Sequence, residues 1–170
     1  MQWWHEIGNA LAAEFSDISD IAQITRISLR LTLAALLGGV LGYERERKGK
    51  AAGLKTHMLV ALGAALFVLI PLEAGVSDTE LSRIIQGIVT GVGFLGAGAI
   101  LKSSSEEHVT GLTTAAGIWL TAAIGMTVGL GREATALLST LFALAVFYLV
   151  PLVWEKPARR IHTRDRDDEA

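Results

Sequence analysis

The chain has 170 residues, of which 51% are hydrophobic and 19% are charged, and its formal net charge is −2. Ordinary soluble domains are about 25% charged, so this composition favours a membrane protein and excludes most soluble enzymes. The charge balance provides no basic field for nucleic acid, and the lack of cysteine excludes disulfides and thiol-based sites.

The N-terminal segment, residues 1–22, is too polar to cross a bilayer, but it is amphipathic. One side of a helical wheel collects apolar residues, namely Trp4, Ile7, Leu11, Phe15 and Ile18. The opposite side collects polar ones, namely His5, Glu6, Asn9 and Asp17. This pattern predicts a helix that lies in the membrane interface with its tryptophans at headgroup depth. A helix packed against the end of a bundle is the alternative.

Long uncharged runs follow this segment, and a transmembrane helix needs about 20 apolar residues. We therefore predict an all-α, polytopic membrane helix bundle over residues 23–154. Its five spans are expected at about residues 24–43, 56–72, 83–101, 111–130 and 134–154. No secretory signal is evident, so the first span is expected to direct its own insertion. Residues 155–170 are charged and predict a disordered tail.

Basic residues predict the orientation of the bundle. The segment between the first two spans carries Arg45, Arg47, Lys48, Lys50 and Lys55. The tail carries Lys156, Arg159, Arg160, Arg164 and Arg166. Five spans place both segments on one side, whereas the segments on the other side are acidic. The positive-inside rule therefore predicts an external N-terminus and a cytoplasmic C-terminus.

Small residues recur at helical spacing in three of the spans. They are Gly38 and Gly42 in the first, Gly87, Gly91 and Gly98 in the third, and Gly117, Gly125 and Gly129 in the fourth. Small residues let helix backbones approach closely in lipid, so these spans are predicted to form the tight centre. The same faces would also serve a homo-oligomer. The third span also contains a formal dinucleotide fingerprint, GVGFLG, which lacks the preceding strand that such a site requires.

Arg30 lies a few residues inside the first span, at its outer end. An arginine at full depth costs about 2.5–3.5 kcal/mol, so its side chain either reaches the headgroups or pairs with Gln86 or Glu73. In the second case, this polar cluster would be a structural lock or a ligand contact. The remaining intramembrane polar candidates are Gln86, Thr90, Thr113 and Thr114. Hydrogen bonds between helices are their predicted role, and a polar path is the alternative.

The segment after the first span contains a candidate functional cluster that mixes both charges. Its members are Glu44, Arg45, Glu46, Lys50, Thr56 and His57. The cluster could set topology and touch anionic lipid, or form ion pairs that order the turn at residues 49–53. Glu44 and Glu46 could also bind a hydrated cation, and they are the metal candidates. Spans two to five carry no acidic residue in their interiors, which disfavours an ordinary cation carrier.

Three segments, in this order, resemble the MgtC/SapB family over about residues 30–131. They are GYERERKGKAAGLKTHMLVALGAAL, RIIQGIVTGVGFLGAGAIL and VTGLTTAAGIWLTAAIGMTVGLG. The resemblance implies a bacterial inner-membrane protein linked to magnesium and stress homeostasis and, in pathogens, to virulence. It implies a regulator rather than an enzyme, acting on a membrane partner such as the rotary ATP synthase. No cofactor is expected, and Mg²⁺ binding stays open.

The family motif singles out two sets of residues in this sequence. The first is Glu44, Arg45, Glu46, Gly49, Lys50, Gly53, Leu54, Thr56 and His57. The second is Gln86, Gly91, Gly93, Phe94, Gly96, Gly98, Gly111, Thr113, Thr114 and Trp119. Virulence-associated members also carry a soluble domain that resembles the ACT fold, which we do not predict after the fifth span. A transporter or channel for Mg²⁺ or another small solute is the alternative function, and an enzyme acting on lipid head groups is disfavoured.

Overall fold

The computed structural model describes residues 2–14, 20–102 and 109–154. In these residues the chain forms six helices: α1 (Gln2–Glu14), α2 (Ile21–Arg47), α3 (Leu54–Glu73), α4 (Asp78–Gly98), α5 (Leu112–Gly129) and α6 (Glu133–Trp154). Two short antiparallel strands, β1 (Leu101–Lys102) and β2 (Val109–Thr110), lie between α4 and α5. The five helices from α2 to α6 are long and apolar enough to cross a membrane. The all-α multi-pass prediction is confirmed.

Local sequence signals explain where the helices begin and end. Helix α4 starts five residues before the predicted span because Ser77 and Glu80 form a capping box, in which each side chain bonds the other's backbone amide. Helix α2 runs past the apolar stretch to Arg47 and stops before Gly49, whose positive φ of 62° favours glycine. The charged residues that follow the apolar stretch, up to Arg47, therefore belong to a helix and not to a loop.

Helix α1 is shorter than the predicted segment of residues 1–22, because Ile21 already belongs to α2. Residues 3–14 are all exposed, and the rings of Trp3 and Trp4 stack with centroids 4.0 Å apart. Its interfacial position stays a prediction. Three residues of the predicted wheel (Phe15, Asp17 and Ile18) and the predicted tail, residues 155–170, lie outside the described residues.

The centre of the bundle is formed by α3 and α5, which contribute to two apolar clusters. The first cluster joins them to α2 and α6 through residues such as Leu37, Leu41, Ile124 and Ala143. The second joins them to α4 through residues such as Val68, Leu81, Val92 and Ile118. Helix α3 therefore occupies a central position that its sequence did not predict.

The glycines of α2 and α5 pack closely against α3, as their spacing predicts. A Cβ atom added at Gly38 would lie 2.5 Å from the carbonyl oxygen of His57 and 2.8 Å from the Cβ of Ala61. One added at Gly42 would lie 2.7 Å from the Cα of Leu54. On the other side, Gly125 abuts the backbone of Ala61. Small residues on three helices thus let their backbones meet.

The placement of the third span in the tight centre requires correction. A Cβ atom added at Gly87, Gly91 or Gly98 of α4 would meet nothing within 4 Å, and all three residues are exposed. Helix α4 reaches the bundle through the opposite side, where Gly96 packs against Ala115 of α5. The spacing of the glycines marks a face, but it does not say which partner covers that face.

Candidate functional site

Two adjacent charged residues at the basic end of α2 are almost completely buried. Glu44 is 2% exposed and Arg45 is 3% exposed. They become buried because α2 continues as a helix beyond Tyr43, against the start of α3 and the end of α6. We call these two residues, the buried His57 and the exposed Lys48 that pairs with Glu44 the buried charge cluster. Burial of charges is costly unless they are paired, so the partners of each residue decide what the cluster can do.

Glu44 faces two cations. Its Oε1 lies 2.7 Å from the Nζ of Lys48, and its Oε2 lies 3.7 Å from the Nη1 of Arg45. Lys48 is four residues further along the helix, the spacing at which an ion pair stabilises a helix. Its ammonium also donates a hydrogen bond to the carbonyl oxygen of Phe147, at 2.7 Å. One lysine therefore ties α2 to α6.

Arg45 is covered by an aromatic ring. Its guanidinium carbon lies 4.6 Å from the centroid of Phe147, which is within the range of a cation–π interaction. The Nε and Nη2 groups of Arg45 are buried and have no hydrogen-bond partner. Glu44 thus supplies the opposite charge and Phe147 a cation–π contact, while two donor groups of the arginine stay unpartnered.

His57 is fully buried in the first turn of α3. Its Nδ1 lies 2.9 Å from the carbonyl oxygen of Gly53, and since a carbonyl can only accept, Nδ1 carries the proton. The other ring nitrogen, Nε2, is buried without a partner. A Cβ atom at Gly117 would lie 3.5 Å both from this nitrogen and from the ring of Phe147. Gly117 thus separates the imidazole from α6.

Glu46, unlike Glu44, caps the N-terminus of α3. It is exposed, and its Oε2 accepts a hydrogen bond from the backbone amide of Leu54 at 2.7 Å, which caps the first turn of α3. Side chains two residues apart on a helix point about 200° apart, so Glu46 points away from Glu44. The two carboxylates therefore have separate partners in the structure, and a joint cation site stays a prediction. Lys50 and Thr56 are both exposed.

The net charge of this cluster favours a hydrogen-bond acceptor, such as water or a small anion, over a metal ion. Arg45 and Lys48 oppose the single carboxylate of Glu44, which leaves an excess of positive charge. The Nε and Nη2 groups of Arg45 lack a hydrogen-bond partner, as do both oxygens of Glu44 and the Nε2 of His57. Water or a small anion could accept from the two arginine groups, whereas Mg²⁺ would have to displace both cations from Glu44. Among residues 2–14, 20–102 and 109–154, no group of three or more metal-binding side chains is found.

At the opposite end of the bundle, Arg30 has different partners from those predicted. Its Nη1 donates to the carbonyl oxygen of Gly129 at 3.3 Å, and its Nε lies 3.5 Å from the Oε1 of Glu133. The short link between α5 and α6 brings both groups to the N-terminal half of α2. Glu73 pairs instead with Arg26, at 3.8 Å. The predicted pairing of Arg30 with Gln86 or Glu73 is therefore wrong.

Several intramembrane hydroxyls donate to a carbonyl oxygen of their own helix. Thr90 Oγ1 donates to the carbonyl oxygen of Gln86 at 2.9 Å, and Thr121 Oγ1 donates to that of Gly117 at 2.8 Å. Gln86, Thr90 and Thr113 are exposed, whereas Thr114 is 2% exposed near the start of α5. For Thr90, the predicted hydrogen bond between helices is replaced by one to the preceding turn.

Sequence reasoning missed the residues of α6 and of the α5–α6 link that complete both polar groups. Phe147 lies about a hundred positions from Arg45, and its sequence neighbours are apolar, so no local signal marks it. Gly129 belongs to the glycines for which packing is predicted, and no sequence pattern singles out Glu133. Only the pairing of Glu44 with Lys48, four residues apart, could have been read from the sequence.

Known proteins resemble this chain over its membrane part. The family model described as "MgtC family" matches residues 31–155. Protein SrpB of Synechococcus elongatus is 47% identical over 129 residues, which cover 69% of this chain and 71% of SrpB. The putative magnesium transporter YhiD of Escherichia coli K12 is 44% identical over 71% of this chain and 60% of YhiD. Protein MgtC of Brucella abortus is 46% identical over 71% of this chain and half of its own length.

No solved structure matches the chain. The matched region, residues 31–155, contains every member of the buried charge cluster and the glycines that pack α2 and α5 against α3. Together with the multi-pass bundle, this match shows that the chain belongs to the MgtC family.

Proposed function

We propose that this protein is a non-enzymatic membrane regulator in magnesium and stress homeostasis, which acts by contact between α4 and a helix of a partner membrane complex. We also propose that it lies in the bacterial inner membrane with its basic end in the cytoplasm, as the distribution of arginine and lysine favours. The rotary ATP synthase is the partner complex that the family resemblance suggests.

The open face of α4 is the observation that carries this proposal. Four glycines of this helix, Gly87, Gly91, Gly93 and Gly98, have nothing within 4 Å of an added Cβ atom. In lipid, helices associate where small residues allow close approach. The glycines of α2 and α5 meet α3 in this way, whereas these four glycines of α4 are exposed.

Polar groups on the same helix strengthen the argument. Gln86 lies one residue before Gly87 and is exposed. Polar side chains in hydrocarbon are costly and usually pair with other polar groups. A partner helix that packs on the glycines would also bring a hydrogen-bond partner to this amide. By contrast, the buried charges at the basic end are engaged within the chain.

The names of relatives support the physiological setting. One matched relative is named MgtC, and another is named a putative magnesium transporter. These names belong to those proteins, of which the matches cover half and 60%. We extend the link with magnesium from these relatives to this chain as a proposal. The proposed mechanism, contact with a partner helix, rests on the exposed glycines of α4.

Site-specific photo-crosslinking in cells tests this contact. A photoreactive residue at Thr90 should capture a membrane protein, and one at Leu141, which is 64% exposed on α6, should not. Gly91→Leu should fill the face and abolish the capture while leaving the bundle folded, because no atom of the chain lies there. Equal capture from Thr90 and Leu141 would contradict the proposal.

A transporter is the second candidate, because one relative carries that name. The purified protein in liposomes loaded with a Mg²⁺ dye decides between the two functions. The regulator should produce no saturable flux above empty vesicles. A saturable Mg²⁺ flux that the folded Glu44→Ala variant abolishes would favour the transporter.

A further inference from the structure

An apolar groove of about 470 Å³ runs along the outside of the bundle towards its basic end. It lies between α2 and α6, and α3 contributes to its wall; its lining includes Leu36, Val40, Tyr43, Met58, Leu144 and Tyr148. From Ala35 to Tyr43 the groove follows α2 for about 12 Å, at 1.5 Å per residue. Its apolar walls and its shape suit one hydrocarbon chain lying along the helices.

The basic end of this groove holds two cations, each placed over an aromatic ring. The guanidinium of Arg47 lies 5.8 Å from the ring centroid of Tyr43, and the ammonium of Lys48 lies 5.1 Å from that of Tyr148. Both tyrosines line the groove. Tyrosine rings favour headgroup depth, and here they hold positive charge at the point where an acyl chain would join its headgroup.

We infer that this groove binds one phospholipid with an anionic headgroup, its acyl chain along α2 and α6 and its phosphate beside Arg47 and Lys48. Charge complementarity identifies the occupant. Lys48 already pairs with Glu44, and the carboxylate of Glu46 bonds the amide of Leu54 at the same end. Residues 44–48 hold three cations and two anions, so this end keeps a net charge of +1. A zwitterionic lipid would satisfy the apolar walls equally well but would bring no net negative charge to this end.

This lipid would have a structural consequence for the buried charge cluster. Lys48 contacts Glu44, the carbonyl oxygen of Phe147 and the ring of Tyr148. A phosphate placed beside Lys48 would therefore act on the same side chain that ties α2 to α6. The composition of the surrounding leaflet would then affect the packing of α6 at its basic end.

Native mass spectrometry of the full-length protein tests the inference. The protein in detergent is mixed with equal amounts of phosphatidylglycerol and phosphatidylcholine of matched acyl chains. We expect one phosphatidylglycerol molecule to be retained in preference to phosphatidylcholine. Arg47→Gln should weaken this retention about fivefold, which corresponds to about 1 kcal/mol for one basic residue near a membrane surface.

Matched variants distinguish lipid binding in the groove from a general attraction of anionic lipid to basic residues. Lys50→Gln removes an exposed charge at the same end but outside the groove, and it should leave retention unchanged. Val40→Trp should obstruct the groove and reduce retention, whereas Leu138→Trp, on an exposed part of α6 away from the groove, should not. Equal retention of the two lipids, or equal effects of Arg47→Gln and Lys50→Gln, would overturn the inference. If Val40→Trp fails to fold, the comparison of Arg47→Gln with Lys50→Gln still tests the inference.

Discussion

Replacement of Gly38 by alanine tests whether the contact between α2 and α3 holds the bundle together. The new Cβ atom would lie 2.5 Å from the carbonyl oxygen of His57, whereas ordinary contacts begin at 3.4 Å. The obstacle is backbone, so no side-chain rotation can relieve it. The two helices must separate locally by about 0.9 Å, because packed interiors leave no spare room.

Two opposing contributions set the magnitude of this change. Overpacking of a close contact costs about 1–3 kcal/mol. Alanine in a helix interior is more favourable than glycine by about 0.5–1 kcal/mol. Gly63→Ala provides the matched control, because Gly63 lies inside α3 and a Cβ atom there would meet nothing within 4 Å. The control isolates the helix-propensity contribution.

Reversible unfolding in mixed detergent micelles, followed by far-ultraviolet circular dichroism, measures both variants. We expect Gly38→Ala to be less stable than the unmodified protein and Gly63→Ala to be slightly more stable. The two variants should differ by about 1–3 kcal/mol, the overpacking contribution alone. If Gly38→Ala proves as stable as Gly63→Ala, the close approach of α2 and α3 is not a feature of the folded protein.

Three further substitutions test the polar groups at the two ends of the bundle in the same unfolding assay. Arg30→Ala should destabilise the protein by about 1–3 kcal/mol, because it removes a partly buried hydrogen bond and an ion pair. Replacement of the exposed Arg26 by alanine should cost much less. Equal small losses would refute the pairing of Arg30 with Gly129 and Glu133. Glu44→Ala leaves the buried Arg45 without its anion and should cost about 3–5 kcal/mol. A loss below about 1 kcal/mol would mean that the pair is solvated. Glu46→Ala removes the acceptor at the start of α3 and should cost about 1 kcal/mol, while the exposed Lys50→Ala should change little; indistinguishable variants would argue against the cap.

The bundle could be predicted from the sequence because its signals are local. Uncharged runs of sufficient length identified the five spans, and the glycines at positions 38, 42 and 125 identified close helix contacts. Helix α3 was overlooked because its contact residues, Ala61 and Ala65, are less conspicuous than glycine. Yet they are four residues apart and face the glycines of both neighbours. Alanines four residues apart also indicate a close helix contact when glycines on other helices pack against them.

The candidate site could be predicted only in part. The charged residues after the first span were identified, but their burial was not, because burial depends on α6, far along the chain. Glu44 and Glu46 look equivalent in the sequence. Their roles separate because α2 continues as a helix, which turns one carboxylate towards Lys48 and the other towards the amide of Leu54.

The two ends of α6 also show why long-range partners escape sequence reasoning. Glu133 at its start reaches Arg30, and Phe147 near its end covers Arg45. Neither residue has a pattern that distinguishes it from a loop charge or a lipid-facing aromatic. Their meaning depends on how α6 packs across α2, which hydrophobic periodicity does not specify.

The position of Phe147 has a consequence for biogenesis. Helices α2 and α3 can close as a hairpin as soon as both have been synthesised, because Glu46 near the end of α2 accepts the hydrogen bond from Leu54 at the start of α3. The ring over Arg45 and the carbonyl group that receives Lys48 arrive only with the last span. A nascent chain in which α6 has not yet formed therefore leaves Arg45 without its aromatic cover and Lys48 without this acceptor.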